Sequence, residues 1–191
     1  MDCAVLDLET TDLSAVGSGW ILMASIRPLH GETITLRYDE MRCPLGRETK
    51  LVKAIIDEMS KYDMWIGHNI QYFDFPYLKS RAMRLGVPFN CEPLVYDTMM
   101  AFRRVGYLTT RNFKGHPRAN LDHIVDFLGY PQQKTKIYPR EHWLTVWGKP
   151  RERKDAMLHL AEHCEADVEM TEQVYWHLLK RDPVWGLRRQ K

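Results

Sequence analysis

Asp7 and Glu9 stand two apart at the end of the apolar run Cys3–Leu8. Alternate side chains of a strand share a face, so both carboxylates point the same way, a few ångströms apart. Two like charges held that close need a reason. Either both lie at a fraying strand end in water, or a divalent cation sits beside them, since Mg²⁺ and Mn²⁺ take oxygen ligands and remove the repulsion. Asp74 follows Trp65-Ile66-Gly67-His68-Asn69-Ile70-Gln71-Tyr72-Phe73, where a strand ends in glycine and a polar-aromatic turn leads into a helix. An acid there is also at home as a cap or first-turn residue, stabilised by the helix dipole. His163 and Asp167 are four apart in the longest helical pattern, hence one turn apart on one face. They could be a solvent-facing pair, or an imidazole that titrates near neutral pH and serves as a base or water orienter. Their neighbours Glu162, Glu165 and Glu169 read as solvated.

The elements that must position these groups alternate between strand and helix. Cys3–Leu8, Gly19–Ile26 and residues 33–38 read as an antiparallel ribbon with short turns at Ser18-Gly19 and His30-Gly31. Leu51, Ile55, Ile56 and Met59 recur at helical spacing, which predicts a helix over 47–60 feeding a buried strand over 62–67. A helix over 73–84 ends at Gly86, a strand covers 94–96, and another helix starts near Asp97 and Thr98. Leu121, Ile124, Val125 and Leu128 give a short helix closed by Gly129. Residues 155–180 carry one broad apolar stripe without Pro or Gly. The region about 103–118 reads as a basic loop, 131–150 as irregular, and 183–191 as a short basic tail that frays or covers an edge.

The 191 residues, 45% of them apolar, suit one α/β domain with one sizeable core. A net charge of +2 excludes a strongly basic tail protein and an acidic disordered one, but the total hides its distribution. Residues 98–154 carry 12 basic and four acidic side chains, whereas residues 1–97 carry 10 and 14. The middle is therefore a candidate polyanion surface. No apolar run reaches the roughly 18 residues of a membrane span, so no membrane partner is expected. Cys3, Cys43, Cys91 and Cys164 form no C-x-x-C pair, which argues against a disulfide framework or zinc knuckle and for a reduced, cytoplasmic setting, that of the host cell if the chain is phage-encoded.

Three separated segments resemble the metal-dependent 3'-5' exonucleases of the DEDD superfamily, in particular the proofreading domains of family B DNA polymerases. Val5-Leu6-Asp7-Leu8-Glu9-Thr10-Thr11 looks like their first motif, and Gly67 through Leu78, with Asp74 inside it, looks like the second. His163-Cys164-Glu165-Ala166-Asp167-Val168 occupies the place of the third. One residue departs from both subtypes of that motif, Y-x-x-x-D and H-x-x-x-x-D, because His163 stands at the tyrosine spacing.

The resemblance implies an RNase H-like three-layer fold with a mixed central sheet and helices on both faces, spanning 1–191 as a single exonuclease domain. It also implies a two-metal hydrolase with Mg²⁺ or Mn²⁺ ions about 4 Å apart. In that reading Asp7 bridges the ions, Glu9 and Asp167 complete one, Asp74 acts on the other through water, and His163 orients the attacking water. Leu8 and Thr10 would meet the terminal nucleotide, and Asn69, Phe73 and Tyr77 would support or stack against bases. Arg103, Arg104, Arg111, Lys114 and Arg118 would attract the phosphate backbone. The expected substrate is the 3' end of single-stranded DNA, with RNA as the alternative and a polymerase or replication protein as a partner. The competing class is a catalytically silent RNase H-like module that binds nucleic acid or protein.

Overall fold

A computed structural model describes residues 1–44, 47–106, 120–131, 150–180 and 187–189. The strands are β1 (Cys3–Thr10), β2 (Ile21–Pro28), β3 (Ile34–Arg37), β4 (Met64–Gly67), β5 (Leu94–Asp97) and β6 (Leu187–Arg189). The helices are α1 (Thr49–Met59), α2 (Asp74–Leu85), α3 (Thr98–Gly106), α4 (Leu121–Phe127) and α5 (Pro150–Leu179). The strands form one mixed sheet in the order β3-β2-β1-β4-β5-β6. The β1–β2–β3 ribbon is antiparallel, β1–β4 and β4–β5 are parallel, and β6 returns antiparallel to β5.

The period-two pattern of β1 divides the core between two faces. Leu6 and Leu8 join the cluster built with the apolar stripe of α1 (Leu51, Val52, Ile55, Ile56, Met59) and with Phe75, Leu78 and Ala82 of α2. Val5 joins Met64, Ile66 and Tyr96 against Ile124 and Val125 of α4 and Val168, Val174 and Leu178 of α5. Helices thus cover both faces of a mixed sheet, giving three layers.

The sequence misplaces two boundaries. Arg103 and Arg104 lie within α3 rather than in a loop, and Lys114, Arg111 and Arg118 lie outside the described residues. The last helix begins at Pro150, five residues before the predicted start, where a proline is tolerated because a first-turn N–H has no intrahelical partner to lose. For the tail, the second of its two readings holds over residues 187–189, which pair with β5 and cover that edge of the sheet.

Candidate nucleic-acid interface

The acids of β1 face α5. Asp7 shares the face of Val5, and there Cys164 of α5 donates its thiol to Asp7 Oδ2 at 3.2 Å and approaches the Asp7 carbonyl oxygen at 3.5 Å. Asp7 retains some surface exposure, but its carboxyl group lies deep. Burial, then the charges of Asp167, Asp74 and Glu9, push its pKa well above the usual carboxylate range. Burial and the nearby Asp7 and Glu9 push the Cys164 thiol well up too, so it stays a protonated donor.

Asp74 reaches the same place from the other side of the sheet edge. Gly67 ends β4 where an added Cβ would stand 2.7 Å from the Ile70 side chain, so the chain can turn only because no side chain is present. Asn69 then takes a left-handed φ of 68°, a conformation that asparagine tolerates better than most residues. Asp97, fully buried at the end of β5, holds this turn by accepting the amides of Asn69 at 3.2 Å and Gln71 at 3.1 Å, and it also accepts the Met100 amide of α3 at 3.0 Å. His68 Nδ1 meets Thr98 Oγ1 at 3.0 Å, and Thr98 in turn donates to the Gly67 carbonyl. The turn delivers Asp74 to the first residue of α2, where Oδ1 accepts the Leu8 amide of β1 at 3.1 Å. Burial raises the Asp74 pKa to about 7 against the lowering effect of its amide donors, with Asp97 and Asp167 adding to the rise.

On α5, His163 Nε2 lies 3.9 Å from Glu9 Oε1 and 3.8 Å from Asp167 Oδ2. Burial raises Asp167 to about 6, with His163 pulling downward and Asp122 of α4 pushing upward. The structure therefore brings Asp7, Glu9, Asp74, His163 and Asp167 to one end of β1. Glu162 is exposed as expected, but the other two neighbours are half-buried and paired: Glu165 accepts from Thr35 Oγ1, and Glu169 pairs with Arg27 at 3.5 Å. Both tie α5 to the ribbon.

Proximity does not make this a metal centre. Among the described residues no group of three or more His, Cys, Asp and Glu side chains is arranged to hold a metal ion. One Asp7 oxygen accepts the Cys164 thiol and one Asp74 oxygen accepts the Leu8 amide, while the His163 ring stands within 4 Å of both Glu9 and Asp167. This overturns the expected pair of Mg²⁺ or Mn²⁺ ions. With it go the expected metal-dependent 3'-5' exonuclease activity and the assignment as a phosphodiester hydrolase.

Beside the acids lies a cleft of about 290 Å³ lined by Leu8, Glu9, Thr10, Thr11, Leu13 and Phe73, with Asp12 completing its wall. Leu8 and Thr10 were candidates from sequence. Thr11, Asp12 and Leu13 were not, because the polar stretch after β1 reads only as the end of a strand. Leu13 is 81% exposed at the rim and Val16 of the same loop 82%, with Tyr72 61% exposed in the turn before α2. Tyr77 is buried, so it offers no stacking face. Its ring lies 5.4 Å from that of Phe73, and its hydroxyl donates to the Asp12 carbonyl at 3.0 Å. Arg81, one turn further along α2, donates to the Ala15 carbonyl and to buried Glu48. The exposed loop is thus pinned from behind by α2.

The RNase_H_2 family profile, described as RNase_H superfamily, matches residues 4–179. The chain belongs to the RNase H superfamily. The mixed sheet flanked by helices is the architecture expected of an RNase H-like domain. A DNA polymerase of Methanocaldococcus jannaschii is 38% identical over 74 residues, covering 37% of this chain and 4% of the polymerase. The structure of the family B DNA polymerase from the hyperthermophilic archaeon Pyrobaculum calidifontis superposes with a TM-score of 0.68 at 17% identity, over 93% of this chain and 24% of that one. This RNase H-like chain therefore spans a small part of the polymerases it matches. Among the described residues no helix is long and apolar enough to cross a membrane.

Proposed function

We propose that the chain is a catalytically silent RNase H-like module that holds the 3' end of single-stranded DNA without hydrolysing it. The observation that carries this reading is the pair of acids Asp7 and Asp74 held by protein donors beside an open, largely apolar cleft. Burial pushes the Asp7 carboxyl group toward its protonated form, and it raises Asp74 to about 7. That lowers the negative charge facing an incoming phosphate, so a nucleotide can approach without a cation to mediate.

In this proposal Phe73 and Leu13 flank the terminal base, Leu8 and Thr10 line its seat, and Asn69 shapes the turn beneath. Stacking on an aromatic ring is worth roughly 1–3 kcal/mol per base and tolerates any sequence. Arg103 and Arg104 of α3, with Arg111, Lys114 and Arg118, supply the cationic track for the backbone. The acids stand at the positions of the DEDD quartet but serve as a buried hydrogen-bonded floor. The likeness to DNA polymerases supports nucleic-acid association, and a polymerase acting on the same strand in the cytoplasm is the natural partner.

The test is fluorescence anisotropy with end-labelled single-stranded DNA, duplex DNA and RNA, each with Mg²⁺ or with EDTA, followed by gels of the same samples. We expect single-stranded DNA to bind equally well in both buffers and to be recovered at full length. A ladder of shortened products that EDTA abolishes would overturn the proposal.

A further inference from the structure

The opposite end of β1, about 13 Å from Asp7 at the rise of a strand, carries a second surface feature unconnected with the acids. A groove of about 400 Å³ opens there, walled by Pro28, Leu29, His30, Tyr62, Tyr175 and Trp176. Its aromatic wall is built. The His30 ring stacks on Trp176 with centroids 5.0 Å apart and planes at 28°. Glu172, itself buried, fixes both rings by accepting the His30 amide at 3.4 Å and Trp176 Nε1 at 3.3 Å, and it is held in turn by Arg27 Nε at 2.5 Å. His30 reaches this position with a left-handed φ of 64°, a strained value for a residue with a side chain.

Tyr175 supplies the polar group. It is only 4% exposed, packed edge-on against Tyr96 at 4.9 Å and tilted against Trp176 at 5.2 Å. Among the described residues its hydroxyl has no hydrogen-bond partner, and it faces the groove beside Cys3. At the rim stands the exposed carboxylate of Asp2, next to Asp63, which accepts the Asp2 amide at 2.8 Å and lies 4.0 Å from the Met1 amino group.

We propose that this groove docks an extended, proline-containing segment of a partner protein that carries a basic residue at one end. Such a segment needs no partner for missing backbone N–H groups, is already ordered as a polyproline helix, and presents carbonyls that a tyrosine hydroxyl can meet. Aromatic-lined grooves recognise it by stacking rings against the proline faces. Here Trp176 and Tyr62 form the flat walls, Tyr175 donates to a carbonyl, and Asp2 receives the cation. Nucleic acid would place phosphates against that same carboxylate, which disfavours it as the occupant.

The test uses the whole chain and a fluorescent synthetic peptide of alternating proline and leucine closed by arginine, read by anisotropy. Saturable binding is expected. Tyr175→Phe should weaken it about fivefold, the loss of one net hydrogen bond, while keeping the ring packing. Replacing the peptide's arginine by glutamate, or Asp2→Asn, should weaken it as well, and single-stranded DNA should not compete. Trp176→Leu should abolish binding, with its thermal melt checked against the parent; Tyr175→Phe decides the matter should that variant unfold. No saturable binding by the parent, an unchanged affinity in Tyr175→Phe, or displacement of the peptide by DNA would each overturn the proposal.

Discussion

The Cys164 thiol sits 3.2 Å from Asp7 Oδ2, joining the middle of α5 to the end of β1 by a hydrogen bond inside the core. It gives Asp7 a donor and favours the ionised carboxylate, against the burial that dominates its titration. Cys164→Ala should therefore raise the Asp7 pKa further, read by NMR titration of the side-chain carboxyl carbon. It should also cost about 1–2 kcal/mol in urea denaturation, because a buried acceptor loses its partner. An unmoved Asp7 titration would show that the contact is incidental.

Stability should fall as pH rises toward neutrality. Asp74 and Asp167 titrate near 7 and near 6 in the folded chain and near 4 when unfolded, so the native state binds more protons between those limits. The stabilisation is full below about pH 4 and is lost as pH rises through the folded values. Urea midpoints measured from pH 5 to 8 should decline. Asp74→Asn should flatten much of that slope, by an amount on the order of a few kcal/mol across the range. Equal slopes in both proteins would refute the assignment to Asp74.

Arg81 and Glu48 form a buried ion pair at 2.6 Å with side chains 3% and 0% exposed. Arg81→Met strands the glutamate and should cost about 3–5 kcal/mol. Pairing it with Glu48→Gln should recover part of that loss. The single variant should also release the loop carrying Leu13 and Val16, since Arg81 holds the Ala15 carbonyl. Hydrogen exchange over residues 11–20 reads this directly, and unchanged protection there would separate stability from loop anchoring.

Asp97→Asn swaps one acceptor oxygen for an amide donor that faces backbone N–H groups. A loss of about 1–3 kcal/mol in thermal or urea denaturation is expected. If the turn over 68–73 positions Phe73 for a base, binding of single-stranded DNA should weaken along with it. Leu13→Ala, at an exposed rim position, should weaken the same binding with almost no change in melting temperature. DNA affinity untouched by both variants would place the binding surface elsewhere.

Affinity for single-stranded DNA should also drop steeply with added salt if Arg103, Arg104 and the rest of the basic segment track phosphates, because each contact releases a counterion. Anisotropy titrations at several salt concentrations give the slope. A flat dependence would leave base stacking as the sole contributor.

Much of the fold was legible because its patterns are local. The alternation in β1, the Leu51/Val52/Ile55/Ile56/Met59 stripe and the Gly86 stop each report the conformation of the segment that contains them. The gathering of Asp7, Glu9, Asp74, His163 and Asp167 was legible through motif order. Their chemistry was not. Metal holding depends on where carboxylate oxygens aim, and that is settled by the Cys164 thiol and the Leu8 amide, contacts spanning 157 and 66 residues. Asp97 was equally silent: beside Thr98 it reads as a helix start, and its second task of holding the Asn69 turn exists only once β4 and β5 lie side by side.

The strand at residues 187–189 bears on how the chain is made. Translation delivers β5 about 90 residues before β6, so the newborn domain exposes the outer edge of β5 until Leu187–Arg189 has emerged. An open strand edge invites pairing with other chains. Ribosome-bound intermediates ending before Leu187 should thus be the ones most in need of a chaperone, and the emergence of this last strand is what seals the sheet.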